Sequence, residues 1–220
     1  MEISISGIPY QNLKKTNPEI CFSIPEYFSS IPFSKIHSLV FLYDKEQLEE
    51  IKVLNNFFSQ KISIQIGATP EQMHELLSLS PFEGILSNLQ RKDGCLDLLL
   101  FKEQIQELIQ NFNFPKERLV ARVEADPEQI KVASKLGFSK VELEFSYPFP
   151  SEKDYNKFDE VLKVASKMGI SVGFGKGFDF FTLRKILKIY KPQQVIVDLP
   201  FYKIALKEGI DKAVDFCLSL

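Results

Sequence analysis

Ala68-Thr69-Pro70-Glu71-Gln72-Met73 is echoed later in the chain by Ala125-Asp126-Pro127-Glu128-Gln129-Ile130. Each stretch follows a run of β-branched residues and offers Thr or Asp as a helix N-cap. Each then places Pro at the first helical position and Gln at the third. The shared pattern predicts two junctions at which a strand leads into a helix.

A second repeat marks the opposite kind of junction. The segments 130–137 and 162–169 both have the pattern of a helix that carries Lys in its last turn and is closed by glycine, at Gly137 and Gly169. A glycine in that place suits the left-handed conformation at a helix C-terminus. Strand-to-helix and helix-to-strand junctions therefore alternate along the chain.

Periodicity extends this alternation over the whole sequence. The candidate strands are 2–6, 38–43, 61–66, 84–87, 119–124, 140–145, 170–174 and 194–198. Amphipathic segments with helical spacing lie over 45–58, 96–112, 128–136, 155–168, 180–190 and 205–218. Eight such units predict an α/β fold, a single (β/α)₈ TIM barrel over residues 1–220, with an open doubly wound sheet as the alternative. Pro18, Pro25 and Pro32 interrupt the first connection, so we expect it to be irregular.

Composition and charge exclude several classes of protein. Lys and Arg number 27 against 29 Asp and Glu, so the basic surface of a nucleic-acid-binding protein or of a polybasic membrane anchor is not expected. No apolar run reaches the roughly 20 residues of a membrane span, and the N-terminus has the pattern of a strand, which favours a cytoplasmic location. The 3 cysteines lie too far apart for a zinc site, and neither a metal nor a cofactor is expected. The expected partner is a small-molecule metabolite. The sequence leaves the oligomeric state open, and a homo-oligomer is one of the possibilities.

In a TIM barrel the active site lies at the carboxyl ends of the strands. The polar residues predicted there are Ser6, Tyr43, Asp44, Gln65, Ser87, Asn88, Glu124, Glu142, Glu144 and Asp198. The 2 histidines, His37 and His74, fall elsewhere, so the most common acid–base residue is missing from this end.

Alternation along the strands predicts that Arg122 and Glu124 share one face of strand five and that Glu142 and Glu144 share one face of strand six. These faces point into the barrel. Arg122 then has a glutamate of the next strand within reach. Two interpretations stay open: a buried ion network without a catalytic role, or a site in which a glutamate acts as general base and Arg122 binds an anionic substrate.

Gly173-Phe174-Gly175-Lys176-Gly177 follows strand seven, where many barrels bind a phosphate through backbone N–H groups. A phosphate site at Gly175 and Gly177 with Lys176 is one interpretation of this loop. A tight turn is the other, and Asp198 on strand eight would repel an anion held here.

Residues 123–177 resemble the pyridoxine phosphate synthase (PdxJ-like) family. The stretch 125–133, followed by Gly137 and Val141-Glu142-Leu143-Glu144, is similar to the family's Ala-Asp-Glu-Glu-Gln-Ile, Ala-rich helix and Glu-Ile-His. The stretches 62–69 and 172–177 are similar to its Asn-Leu-Glu-Met-Ala segment and Asn-Ala-Gly-His-Gly loop. The resemblance starts near Ser38. It implies a (β/α)₈ barrel and a transferase reaction of pyridoxine (vitamin B6) biosynthesis that joins deoxyxylulose phosphate to an aminoacetone phosphate.

Several positions depart from the family's pattern. The catalytic glutamate of strand three is Gln65 here, and the histidine and arginine of strand two are Phe41 and Tyr43. The strand-one signature Asn-Ile-Asp-His-Val has no match in residues 4–8, and the strand-eight Gly-His phosphate site is replaced by Asp198 and Leu199.

Other positions keep a polar residue. The family's strand-six glutamate is retained as Glu142, the histidine two residues later is Glu144, and the histidine between two glycines is Lys176. The resemblance therefore implies a divergent active site, since an amide at the Gln65 position cannot abstract a proton.

Two functional hypotheses follow. The first is a diverged enzyme that acts on a small phosphorylated or carbonyl metabolite, with Glu142 or Glu144 as base and with Lys176 and Arg122 as substrate contacts. The second is a non-catalytic barrel that binds a ligand or a partner. Authentic pyridoxine phosphate synthesis is less favoured than either.

Overall fold

The computed structural model describes residues 1–58, 61–91, 94–144, 152–175 and 177–220. In this part of the chain, eight parallel strands hydrogen-bond in chain order as a closed barrel. They are β1 Glu2–Ser6, β2 Leu39–Leu42, β3 Ile62–Gly67, β4 Glu83–Ser87, β5 Leu119–Glu124, β6 Lys140–Glu144, β7 Ser171–Phe174 and β8 Gln194–Val197. The (β/α)₈ prediction is confirmed, and the open sheet is excluded because β1 pairs with β8.

Helices connect the strands and carry the predicted end signals. They are α1 Ile8–Thr16, α2 Ile24–Phe28, α3 Leu48–Phe57, α4 Pro70–Leu79, α5 Lys102–Asn111, α6 Pro127–Leu136, α7 Glu152–Met168, α8 Phe180–Ile189, α9 Leu199–Glu208 and α10 Ile210–Leu218. Asp126 caps α6 by accepting a 2.8 Å hydrogen bond from the Glu128 amide. Gly137 and Gly169 adopt φ angles of +88° and +68° after α6 and α7, which confirms the predicted left-handed closures.

The connection from β1 to β2 is irregular, as predicted. After α1 the chain forms a 3₁₀ turn at Pro18–Ile20, and α2 covers only 5 residues. Ser23 and Glu26 form a capping box at the start of α2, next to Pro25. Proline and the capping box thus restart the helix instead of continuing it.

Two helix predictions are wrong in their extent. The segment 96–112 becomes helical only at Lys102, because Leu96 N donates to Arg122 O at 2.8 Å and the Asp97 carboxylate accepts from the amides of Leu99 and Leu100. The segment 205–218 belongs to two helices, α9 and α10, which are separated where Gly209 adopts a φ of +91°.

The chain forms two compact units. One comprises Met1–Ile64, Leu79–Phe82 and Lys176–Leu220 and contains β1, β2 and β8. The other comprises Gln65–Ser78 and Glu83–Gly175 and contains β4 to β7. The expectation of one domain over residues 1–220 stays a prediction. Among the described residues, no helix combines the length and the apolar character that crossing a membrane requires.

Candidate functional site

Strands β5 and β6 bring one arginine and two glutamates together. The strand register pairs Arg122 with Glu142 and Glu124 with Glu144. Arg122 Nη1 lies 2.6 Å from Glu142 Oε1, and Nη2 contacts the Glu144 carboxylate. The predicted proximity of Arg122 to the glutamates of β6 is present, and we call Arg122, Glu142 and Glu144 the arginine–glutamate cluster.

The cluster is largely withdrawn from solvent. The side chains of Arg122 and Glu142 are 1% and 3% exposed, and that of Glu144 is 14% exposed. Burying a guanidinium requires opposite charge and hydrogen bonds at its nitrogens, and the two carboxylates supply both. Because Nη1 and Nη2 already contact carboxylates, and because the three charges leave a net negative cluster, the arrangement does not favour binding of an anionic substrate at Arg122.

Gly175 lies directly against this cluster. A Cβ atom at this position would be 2.8 Å from Glu142 Oε1 and 2.9 Å from Glu144 Oε2, so only glycine fits without a shift of its neighbours. Its amide nitrogen donates to Leu143 O at 2.9 Å. That N–H group is therefore used by β6 and not by the phosphate site predicted for the loop. Gly177 has a φ of +110°, and Lys176 lies outside the described residues.

Gln65 borders the same site from β3. Its side chain is buried, at 3% exposure. A Cβ atom at Gly94 would lie 3.3 Å from Gln65 Nε2 and 3.3 Å from Arg122 Nε, so both side chains approach the same loop residue. The group at the family's catalytic position is thus a neutral amide next to a guanidinium.

Glu124, which alternation places on the same face of β5 as Arg122, contacts Arg91 and not the cluster. Its side chain is 53% exposed and its carboxylate lies 2.5 Å from Arg91 Nη2. Glu124 is the last residue of β5, and its register partner Glu144 contacts Arg122. Glu124 forms its ion pair with Arg91, which lies in the connection between β4 and α5.

The other predicted residues lie in the unit that contains β1, β2 and β8. Ser6 is fully buried, and its carbonyl accepts a 2.8 Å hydrogen bond from Tyr202 Oη. Burial, followed by the nearby Tyr27 and Asp198, raises the pKa of Tyr202 well above its ordinary value. Tyr43 is 8% exposed, and Asp198 caps α9 by accepting from the Leu199 amide at 2.6 Å. Ser6 and Asp198 therefore each have a hydrogen bond within the fold.

Phe41 fills space beside Gly7. The Phe41 side chain is 0% exposed and packs edge-to-face on Phe28, with the ring centroids 5.1 Å apart. A Cβ atom at Gly7 would be only 2.3 Å from Phe41 Cε1. An apolar ring thus occupies the place where the resemblance implies an acid–base group.

The histidines have aromatic contacts away from the strands' carboxyl ends. His37 precedes β2, with its Nε2 3.4 Å from Glu2 Oε2, and lies edge-on to Phe82. His74 in α4 lies edge-on to Phe112. Within the described ranges, no group of three or more His, Cys, Asp or Glu could hold a metal ion.

None of the sequence patterns predicts a cavity of about 370 Å³ at the carboxyl ends of β3 and β4. Its polar lining residues include Gln72, Asn88, Gln90 and Gln104, and its apolar lining residues include Leu96 and Phe101. Two of these residues have a sequence signal: Asn88 follows predicted strand four, and Gln72 belongs to the repeated motif. Its Oε1 accepts a 2.6 Å hydrogen bond from the Gly67 amide and so turns the side chain toward the end of β3.

Fold and site together define a (β/α)₈ barrel whose described polar groups at the carboxyl ends lack histidine. The sequence profile of the family described as pyridoxal phosphate biosynthesis protein PdxJ matches residues 45–220. The chain belongs to the PdxJ family.

Curated relatives agree with this assignment. The pyridoxine 5'-phosphate synthase of Geotalea uraniireducens is 24% identical over 179 residues, which cover 76% of this chain and 74% of that protein. The protein of the same name from Desulfatibacillum aliphaticivorans is 24% identical over 180 residues, covering 79% and 77%.

Two solved structures share the fold. A mutant tryptophan synthase α-subunit from Pyrococcus furiosus has a TM-score of 0.62 at 12% identity, covering 99% of this chain and 97% of that one. An HpcH/HpaI aldolase from Desulfitobacterium hafniense has a TM-score of 0.59 at 10% identity, covering 100% and 93%. At these identities the likeness concerns the fold alone.

Proposed function

We propose that this PdxJ-family barrel binds a small metabolite without carrying out the ring-closing synthesis of pyridoxine phosphate. One observation carries the proposal: the groups at the family's acid–base positions are neutral, apolar or already engaged in the fold. Gln65 is a buried amide, Phe41 is a fully buried ring, and Glu142 is bound to Arg122.

The chemistry implied by the resemblance needs proton transfer at several steps. A single well-placed general base contributes about 10²- to 10⁴-fold to a rate, and the amide of Gln65 cannot take up a proton. A phenyl ring at position 41 removes a second acid–base group. Both losses act on the same reaction, so we expect the rate to fall by more than either loss alone would cause.

The experiment is an assay with deoxyxylulose phosphate and aminoacetone phosphate, with pyridoxine phosphate measured by mass spectrometry. The synthase of Geotalea uraniireducens, run in parallel, serves as the positive control. We expect no product from this chain at a turnover near 1 s⁻¹, within the ordinary range of enzymes. Product formation at that rate would overturn the proposal.

A second candidate function is favoured by Glu144. Its side chain is 14% exposed against 3% for Glu142, so one carboxylate of the arginine–glutamate cluster still reaches solvent at the end of β6. A diverged enzyme could use Glu144 as general base on a small carbonyl or phosphorylated metabolite, with proton abstraction next to the carbonyl.

Deuterium exchange tests this second candidate. Dihydroxyacetone phosphate and hydroxyacetone are incubated with the protein in D₂O, and proton NMR follows the loss of signal next to the carbonyl. If Glu144 is a base, exchange is faster with wild type than with Glu144→Gln. The matched control is Glu128→Gln on the exposed surface of α6, which should exchange as wild type does. Equal rates in all three proteins would eliminate the enzyme hypothesis for these compounds.

A further inference from the structure

Two side-chain amides of the cavity at β3 and β4 are fixed through their oxygen atoms. Gln72 Oε1 accepts from the backbone N–H of Gly67 at 2.6 Å, and Asn88 Oδ1 accepts from the backbone N–H of Gln90 at 3.0 Å. Each anchored amide keeps its NH₂ group, and neither Gln72 Nε2 nor Asn88 Nδ2 has a hydrogen-bond partner among the described residues. Two residues that line the cavity therefore carry an NH₂ donor that the fold does not use.

The other copy of the motif shows what a purely structural glutamine does. Gln129 occupies the same motif position in the first turn of α6 as Gln72 does in that of α4. Its Nε2 donates to Asp97 Oδ1 at 3.0 Å and its Oε1 accepts from the Leu98 amide at 2.8 Å. Both ends of Gln129 are used by the fold, whereas Gln72 uses only its oxygen. The donor of Gln72 is thus not explained by the motif.

The lining also lacks charge. The described residues that line the cavity include no Lys, Arg, Asp or Glu. A phosphate or a carboxylate would therefore find no cationic side chain among these residues, and charge-assisted hydrogen bonds are the strong ones for an anion. Phe101 and Leu96 supply an apolar wall, and a volume of about 370 Å³ is at the small end of ligand sites.

We propose that this cavity is a binding site for a small uncharged molecule that has one apolar ring face and carries carbonyl or hydroxyl oxygens. The oxygens accept hydrogen bonds from Gln72 Nε2 and Asn88 Nδ2, and the ring packs against Phe101 and Leu96. The site rests on the proposed function, for which it supplies a ligand class and a location at the carboxyl ends of β3 and β4.

The test uses 2-pyrrolidinone as the probe and pyroglutamate as its anionic counterpart, since the two share a ring and differ by one carboxylate. Binding is followed in ¹⁵N-labelled full-length protein through the side-chain NH₂ signals of Gln72 and Asn88. Fragments of this size bind in the millimolar range. We expect 2-pyrrolidinone to shift these signals and to bind about tenfold more tightly than pyroglutamate.

Three variants locate the effect. Leu89→Trp fills the cavity from a side chain that is 38% exposed in the folded protein, so folding should be retained while binding is lost. Gln72→Met removes one donor and should weaken binding about tenfold, the usual effect of losing one hydrogen bond. Gln106→Met, a matched change on the exposed face of α5 outside the cavity, should bind as wild type does.

Several outcomes would overturn the inference. These are no shift with 2-pyrrolidinone, binding of pyroglutamate as tight as or tighter than that of 2-pyrrolidinone, or unchanged binding in Leu89→Trp. Synthesis of pyridoxine phosphate would refute the proposed function by a separate readout, so the two failures are distinguishable.

Discussion

The amide nitrogen of Gly175 donates a 2.9 Å hydrogen bond to the carbonyl oxygen of Leu143, so the loop after β7 is joined to β6 beside the arginine–glutamate cluster. This bond uses an N–H group that a phosphate would need. It also holds the glycine Cα against two carboxylates, where a side chain would not fit.

Gly175→Ala should lower the free energy of unfolding by about 1–3 kcal/mol, because the new methyl group overpacks the cluster. Urea denaturation of wild type and variant measures the change. In a Glu144→Ala background, Gly175→Ala should lower the free energy of unfolding by a smaller amount, because one of the crowding carboxylates is gone. The two losses should differ by more than about 0.5 kcal/mol. Equal costs in the two backgrounds would contradict the crowded contact.

Arg122→Ala should destabilise the protein by about 3–5 kcal/mol, because it leaves Glu142 and Glu144 without their buried cation. The matched control is Arg91→Ala, which removes an equally close but exposed arginine–glutamate pair with Glu124. Exposed pairs contribute about 0–1 kcal/mol. Thermal unfolding of both variants measures the two losses of stability. Equal losses would contradict the larger contribution expected of the buried ion pairs of Arg122.

Inorganic phosphate and phosphorylated sugars should leave the melting temperature of the wild-type protein unchanged, because the Gly175 amide is already used and the nearby cluster is net negative. A ligand at 100 times its Kd would raise stability by about 2.7 kcal/mol. Lys176→Ala and Asp198→Gly are measured alongside. A phosphate-dependent shift in wild type that disappears in Lys176→Ala would restore the phosphate interpretation of residues 173–177.

Stability should fall as the pH rises above 10. Burial and the nearby Cys21 raise the pKa of Tyr10 from 10.0 to about 12. Because this phenol stays protonated in the folded protein while its unfolded counterpart ionises, its contribution to stability is complete below pH 10 and is lost as the pH approaches 12.

Tyr10→Phe separates this effect from the hydrogen bond that Tyr10 Oη donates to Phe22 O at 3.0 Å. At pH 7 the variant should lose about 1 kcal/mol of stability, the ordinary contribution of one hydrogen bond. Between pH 10 and 12 its stability should decline less steeply than that of wild type. Parallel declines in urea-unfolding free energy would contradict the raised pKa of Tyr10.

Local patterns predicted the features that depend on neighbours in sequence. The bounds of β1 and β5 follow the alternation of side chains, and the cap at Asp126 and the closure at Gly137 follow from single residue types. The approach of Arg122 to β6 was also predictable, because consecutive strands of a parallel barrel lie side by side.

Features that depend on distant partners were not predictable in this way. The late start of α5 depends on the Arg122 carbonyl and on the side chain of Asp97, which compete with helix formation over 96–101. The ion pair of Glu124 is formed with Arg91, a loop residue with no periodic relation to β5. The donors proposed for the cavity depend on which side-chain atoms of Gln72 and Asn88 are already hydrogen-bonded to the backbone. Residue types alone do not carry that information.

The contact between Phe41 and Gly7 couples the two positions. A Cβ atom at position 7 would overlap the Phe41 ring. A larger residue at 7 therefore requires a smaller side chain at 41. As long as Phe41 is retained, a single mutation cannot place a side chain at position 7 without displacing a ring that is buried in the core.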